Sequence, residues 1–163
     1  MAKAEKGREK TNVMRTLEQA GIAYTPHWYD PEETKGTDIA VTLGESVECV
    51  FKTLVTEGPG REHFVFVIPV AETLDLKKAA RAVGVKNIAM IPQKELLPLT
   101  GYVHGGCSPV GMKKQFPTFL DQSVEGAETI AVSAGKIGAQ VELSPAELCK
   151  LVRGRFAPVS KEI

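Results

Sequence analysis

This sequence has no excess of charge of either sign: twenty Lys and Arg are matched by twenty Asp and Glu. Such a balance argues against wholesale electrostatic capture of long nucleic acid and leaves room only for a local basic cleft. Cysteine is scarce as well. Cys49, Cys107 and Cys149 are odd in number, far apart and without C-x-x-C spacing, which suits neither a disulfide framework nor a zinc site. That usage fits a reducing compartment, so a metal-free cytoplasmic protein is expected. No apolar run approaches the length needed to cross a bilayer, and the charged opening residues lack the apolar stretch of a signal peptide. Internal repeats, low-complexity linkers and shifts in composition are also missing. What is there is ordinary: 163 residues, 43% apolar and 25% charged, enough to bury one core without staples.

Local patterns divide the chain into short helices and strands. Residues 1–10 are mostly Lys, Glu, Gly and Ala and are expected to be flexible, ahead of a domain over 11–155 and a tail over 156–163. Thr11 suits an N-cap, with Val13, Met14, Leu17 and Ala20 at helical spacing and Gly21 at the C′ position. Residues 22–29 read as a first strand that ends among Pro26, His27, Trp28 and Tyr29, before a turn at Asp30-Pro31. Residues 37–43 suggest a short helix. A Val- and Phe-rich hairpin is expected from 50–56 and 63–70, joined by Gly58-Pro59-Gly60. Asp75 caps a helix stopped by Gly84, a short strand covers 87–91, and a helical turn or two follows from Pro92. Phe119-Leu120-Asp121 then precedes strands at 129–133 and 140–143, and Ser144-Pro145-Ala146-Glu147 opens a last helix. Helices and strands do not alternate regularly, so a doubly wound sheet is excluded in favour of an α+β fold, a curved mixed sheet with helices outside.

The stretch Gly105-Gly106-Cys107-Ser108-Pro109-Val110-Gly111 has the composition of neither helix nor central strand. It reads either as a plain connecting turn or as a loop that brings backbone N–H groups close to an anion or oxyanion. Lys52 interrupts an apolar row on a strand whose two faces both look buried. Lysine is almost never fully buried without a partner, so its ammonium either meets an anion in a cleft or reaches the sheet edge. Ser133, Lys136 and Gln140 surround a second glycine-rich turn, which reads equally as an ordinary hairpin. Cys107 and His104 invite a nucleophile-and-base reading, but no acidic partner for the histidine is evident, and a small buried thiol is the plainer one. His27 and His63 carry no metal-ligand pattern and read as structural. Lys113-Lys114 suits a solvated face or a phosphate contact.

Taken together, the motifs resemble the YbaK/EbsC aminoacyl-tRNA deacylases, relatives of the editing domain inserted in bacterial prolyl-tRNA synthetases. The resemblance rests on Val50-Phe51-Lys52-Thr53-Leu54-Val55, Leu74-Asp75-Leu76-Lys77-Lys78, Thr100-Gly101-Tyr102, the glycine loop at 105–111, and Val132-Ser133-Ala134-Gly135-Lys136. It spans nearly the whole chain in the family's order. It implies a sheet curled into a partial barrel with short helices around it, and removal of cysteine mischarged onto proline tRNA, with some action on the cysteine tRNA.

Matched residue by residue, the family's catalytic positions fall on Lys52, Gly105, Gly106 and Ser133. Its substrate-binding positions fall on Tyr29, Thr53, Ser108, Pro109 and Gln140. The chain departs from the pattern at Gln140, where an aspartate is usual, and near Lys35 and Gly36, where a pocket phenylalanine has no counterpart. The family mechanism uses the substrate's own thiol as the attacking group, so no cofactor and no enzymic nucleophile are expected. The partners implied are the aminoacyl-tRNA 3′ end and, transiently, prolyl-tRNA synthetase, with no membrane and no metal. Rival expectations are water-driven removal of another small amino acid such as alanine, a non-catalytic binder of a nucleotide or tRNA end, and a cysteine hydrolase using Cys107 and His104.

Overall fold

The computed structural model describes residues 9–30 and 49–163; the helix expected over 37–43 lies outside them. Along the chain come α1 (Asn12–Gln19), β1 (Tyr24–Trp28), β2 (Phe51–Glu57), β3 (His63–Pro69), β4 (Glu72–Leu74), α2 (Leu76–Val83) and β5 (Ala89–Met90). They are followed by α3 (Leu96–Thr100), β6 (Thr118–Asp121), β7 (Ile130–Ser133), β8 (Ala139–Leu143), α4 (Pro145–Leu151), β9 (Arg155–Ala157) and β10 (Ser160–Glu162). Among the described residues, no helix is long and apolar enough to cross a membrane.

Side-chain caps start the helices where the sequence places them. Thr11 accepts the Met14 N–H at 3.2 Å, and Asp75 accepts the N–H groups of Lys77 and Lys78, each at 3.0 Å. Ser144 accepts the Glu147 N–H at 3.3 Å, with Pro145 at the first helical position. These bonds satisfy donors that the first helical turn leaves open. Gly84 ends α2 at φ +90°, a conformation a side chain would strain.

The described strands form three sheets. The largest is mixed, in the order β5-β2-β3-β6-β9, with β5, β2 and β3 antiparallel and β3, β6 and β9 parallel. A second, β1-β8-β7, is antiparallel throughout, and β10 pairs with β4 in the third. One isolated parallel bridge, Val50 to Ala131, joins the first two. The α+β class is therefore right, but the single sheet curled into a partial barrel is not seen: the described strands form no closed or strongly curved barrel. β7 turns back after Ser133, where Ala134 N–H donates to Ala139 O at 3.0 Å.

β3 is buried on both faces, as its Val- and Phe-rich sequence requires. On one side Phe51 and Val67 join a core with Val13, Met14 and Leu17 of α1, Val132 and Val141 of the second sheet, and Leu148 of α4. On the other, Phe64, Phe66 and Ile68 pack on Ala79 and Ala80 of α2 and on Val159.

The segment 156–163, expected as a tail, is paired over most of its length in β9 and β10. Arg-Phe-Ala and Ser-Lys-Glu are too short and polar to announce strands. β9 pairs with β6 and β10 with β4, and Asp121 fixes the entry to β10, its Oδ1 accepting the N–H groups of Val159 and Ser160, each at 3.1 Å. Its Oδ2 accepts the Ser123 N–H at 3.2 Å.

Burial pushes the Asp121 carboxyl up, yet the Ser123 hydroxyl and the Val159 and Ser123 N–H groups outweigh it, leaving the pKa below the usual aspartate value. A lowered folded pKa adds stability that is present above the unfolded pKa and lost as pH falls through the folded one. Asp121→Asn should therefore cost about 1.5–3 kcal/mol near neutral pH, the range for bonds to a charged group. In urea melts the gap from wild type should narrow on acidification below the ordinary aspartate range. A gap that stays constant with pH would show that the charge is not what holds β10.

Candidate active site

Lys52 lies on β2 opposite Ile68 of β3, half-buried, with its ammonium donating to the Val70 carbonyl at a long 3.4 Å. Burial lowers its pKa from the ordinary lysine value, so an arriving anion would offset a desolvation already incurred. The bridge between Val50 and Ala131 fixes what lies beside it. Both strands run the same way from that bridge, and two residues on, with side chains on the same side, stand Lys52 and Ser133. Ser133 pairs in turn with Gln140 of β8, and Gln140 with His27 of β1. A row of polar side chains, Lys52, Ser133, Gln140 and His27, thus crosses from the large sheet to the small one. The opposite face of β7 and β8 carries Ile130, Val132, Ala139, Val141 and Leu143 into the core.

Within the row, the Ser133 hydroxyl oxygen accepts the Gly135 N–H at 3.2 Å, which leaves its proton free to donate. Gln140 is only 6% exposed, yet its Oε1 has no hydrogen-bond partner. A buried carbonyl left unsatisfied costs stability, and such atoms call for an explanation. Thr53 points to the other side of β2, on the face of Phe51 and Val55, and its buried Oγ1 is also without a partner.

The glycine loop abuts this row through the turn between β7 and β8. A Cβ added at Gly106 would sit 2.9 Å from Ile137 N and 3.0 Å from the Lys136 carbonyl carbon, so only glycine fits without displacing backbone. Gly105, at φ +88°, is exposed beside the Ile137 side chain. The Gly106 N–H donates to Val103 O at 3.0 Å and is spent within the loop, whereas the Gly105 N–H donates to no described residue. Of the two backbone donors expected from the sequence, Gly105 is the one left available.

Ser108 and Pro109 are buried, and the Ser108 hydroxyl accepts the Val110 N–H at 3.2 Å. They brace the loop from within. Tyr29 stands at the far end of the same turn, its N–H donating to Gly138 O at 3.0 Å. Burial raises the pKa of its phenol, with the Gly138 backbone acting the other way.

Cys107 packs with Val55, Val65 and Phe116, and burial pushes its thiol up to about 12. His104 is exposed and no described hydrogen bond links it to Cys107. A thiol in that state is a poor nucleophile. His63 lies against Phe116 with ring centroids 5.5 Å apart and planes tilted by 60°, a structural contact.

One group escaped the sequence reading. His27 Nε2 lies 2.8 Å from Glu142 Oε1, and Thr129 Oγ1 donates to Glu142 Oε2. A glutamate alternating with Gln140 in an apolar strand was the available signal; the partner 115 residues away was not. A separate groove of about 390 Å³, lined by Lys78, Arg81, Ala82, Ala157 and Pro158, contains none of these residues. We give the polar row more weight, because its unsatisfied atoms need a partner and the groove has no comparable chemistry.

The fold and this site define an editing module: the chain belongs to the aminoacyl-tRNA editing domain family, whose pattern matches residues 30–151. It is 43% identical over 162 residues, 98% of each chain, to an Enterococcus faecalis protein, EbsC, named for Cys-tRNA(Pro)/Cys-tRNA(Cys) deacylation. It is 26% identical over 153 residues to the prolyl-tRNA editing protein ProX of Acetoanaerobium sticklandii, covering 88% of this chain and 90% of that one. A solved structure assigned to trans-editing for prolyl-tRNA synthetase superposes with a TM-score of 0.82 at 27% identity, over 91% of this chain and 94% of the other.

The burial of Cys107 predicts its reactivity. With a chromogenic disulfide reagent at mildly alkaline pH, exposed Cys49 should label at once and Cys107 only on unfolding. Equal rates for the two would mean that the loop opens freely.

Proposed function

We propose that this protein is a trans-editing deacylase that removes cysteine from Cys-tRNA(Pro), and that the Lys52–Ser133–Gln140 row with the Gly105 N–H holds the scissile ester. The observation that carries the reading is the buried, unpartnered Oε1 of Gln140 in a row with a half-buried lysine. A polar pocket that leaves such an acceptor open is built for a donor brought by its ligand, and the α-ammonium of an aminoacyl group is one.

Within this reading Lys52 meets the negative charge of the tRNA terminus, Gly105 N–H faces the developing oxyanion, and Ser133 positions the aminoacyl end. The attacking group is the thiol of the substrate cysteine. Its sulfur bonds to the ester carbonyl carbon, the bond from that carbon to the ribose oxygen breaks, and a cyclic thiolactone leaves the tRNA terminus as a free hydroxyl. Catalysis then needs orientation and charge stabilisation rather than an enzymic nucleophile, which agrees with the inert setting of Cys107. A chain with balanced charge holds free tRNA weakly, so prolyl-tRNA synthetase, in the cytoplasm, is the partner that would supply specificity.

The test is deacylation of proline tRNA charged in parallel with cysteine, alanine and serine. Cysteine should be lost fast while alanine and serine stay; preferential loss of alanine would move the attack to water, and bound tRNA with no turnover would leave a binding module. Lys52→Ala should lower kcat/KM by roughly 10²–10³, the scale for losing one preorganised charge contact. Cys107→Ala should remain active.

A further inference from the structure

Thiol attack requires that the sulfur lose its proton, and none of the groups assigned so far is suited to take it. Lys52 serves as a cation, the Gly105 N–H only donates, and the Ser133 hydroxyl and Gln140 amide are neutral. The same row ends in a group that does suit. His27 is the direct cross-strand neighbour of Gln140, so their side chains share one face with Cβ atoms about 5 Å apart. Its side chain is 24% exposed, open enough to meet a substrate and sheltered enough to hold one orientation.

The setting of that imidazole is specific. Glu142 lies two residues along β8 from Gln140 and takes His27 Nε2 on one oxygen, at 2.8 Å, and the Thr129 hydroxyl on the other. Both carboxylate oxygens are thereby occupied by donors. The Thr129 hydroxyl above all, and then His27, hold the Glu142 carboxyl below its ordinary pKa. An ionised carboxylate accepts; it selects the tautomer of a neutral imidazole with the proton on Nε2 and leaves the Nδ1 lone pair bare. No described residue donates to Nδ1. A carboxylate orienting a histidine whose other nitrogen is an open acceptor is the arrangement by which general bases are held.

We propose that His27 is the general base of the editing reaction, with Glu142 and Thr129 as positioning residues that hold its tautomer. The inference rests on the deacylase reading above. The substrate thiol proton passes to His27 Nδ1 as the sulfur bonds to the carbonyl carbon. The carbon–oxygen bond to the ribose then breaks, and the leaving oxygen takes the proton back from the imidazolium. The products are the thiolactone and the free tRNA hydroxyl, no other reactant is consumed, and His27 returns to its neutral form.

Single-turnover deacylation of Cys-tRNA(Pro) by the full chain tests this, using His27→Ala, His27→Gln, Glu142→Gln and Thr129→Val. His27→Ala should lower the rate of the chemical step about 10²–10⁴-fold, the usual scale for a general base, with little change in substrate KM. Added imidazole should restore part of that rate in His27→Ala and none in the Lys52→Ala protein. Glu142→Gln and Thr129→Val should show smaller losses that imidazole does not repair. His27→Gln keeps a polar side chain on the strand; if it melts like wild type and is slow, folding is not the cause. Full activity in His27→Ala, or a loss that imidazole never restores in a folded His27→Ala protein, would overturn the assignment and leave the deacylase reading intact. A wild type that releases no amino acid from any charged proline tRNA would instead overturn the deacylase reading itself.

Discussion

The proposed site hangs on the contact between Val50 and Ala131. The two residues are 0% and 2% exposed and, among the described residues, form the bridge between the large and small sheets. Small, buried side chains at this seam let the two backbones come close, and the close approach sets the register. Once Val50 lies beside Ala131, Lys52 and Ser133 share a level and a side, and the antiparallel ladders carry that level on to Gln140 and His27. Had the seam slipped by one residue, Lys52 would stand level with Val132 or Ala134, which face the core, and the polar row would be broken.

The chemistry has a matching logic. Most buried polar groups here are spent on holding the fold: Asp121 on the entry to β10, Ser108 on the glycine loop, Thr56 on the Phe64 carbonyl at 2.9 Å. Gln140 and Thr53 are the exceptions among the described residues, each with a buried oxygen left open. A protein tolerates such a cost where a ligand will remove it, and Gln140 lies in the row proposed to meet one, whereas Thr53 lies on the other face of β2. The row thus offers an open acceptor, a cation and a backbone donor, while the Cys107 thiol of the glycine loop is locked in a hydrocarbon setting. That combination suits a reaction in which the reactive atom arrives with the substrate.

Much of this was legible in the sequence, because the signals were local. Caps at Thr11, Asp75 and Ser144, the Val- and Phe-rich hairpin and the glycine-rich turn each depend on residues within a few positions of one another. The family motifs placed Lys52, Ser133 and Gln140 as candidates, and strand alternation placed Lys52 in a row with Val50 and Leu54. The rest needed distance information. That the strands separate into distinct sheets joined by a bridge at Val50 and Ala131 is a matter of long-range pairing, which no periodicity reports. The entry to β10 is fixed by Asp121, some 39 positions from Ser160, so its sequence looks like a tail. His27 read as structural for the same reason, since the glutamate that gives it an orientation lies on a strand formed near the other end of the chain.

The fit of Gly106 against the β7–β8 turn has a bearing on how such a site can change. With 2.9 Å between a would-be Cβ and the backbone of Ile137, Gly106 cannot gain a side chain without displacing the turn. The two behave as a single rigid jaw, and a drift in sequence at one would demand a matched change at the other. Variation in which amino acid is accepted therefore has to run through side chains that stand free of that jaw. On the strand face, the position held here by Gln140 can change its polarity and length while the backbone beneath it stays in place.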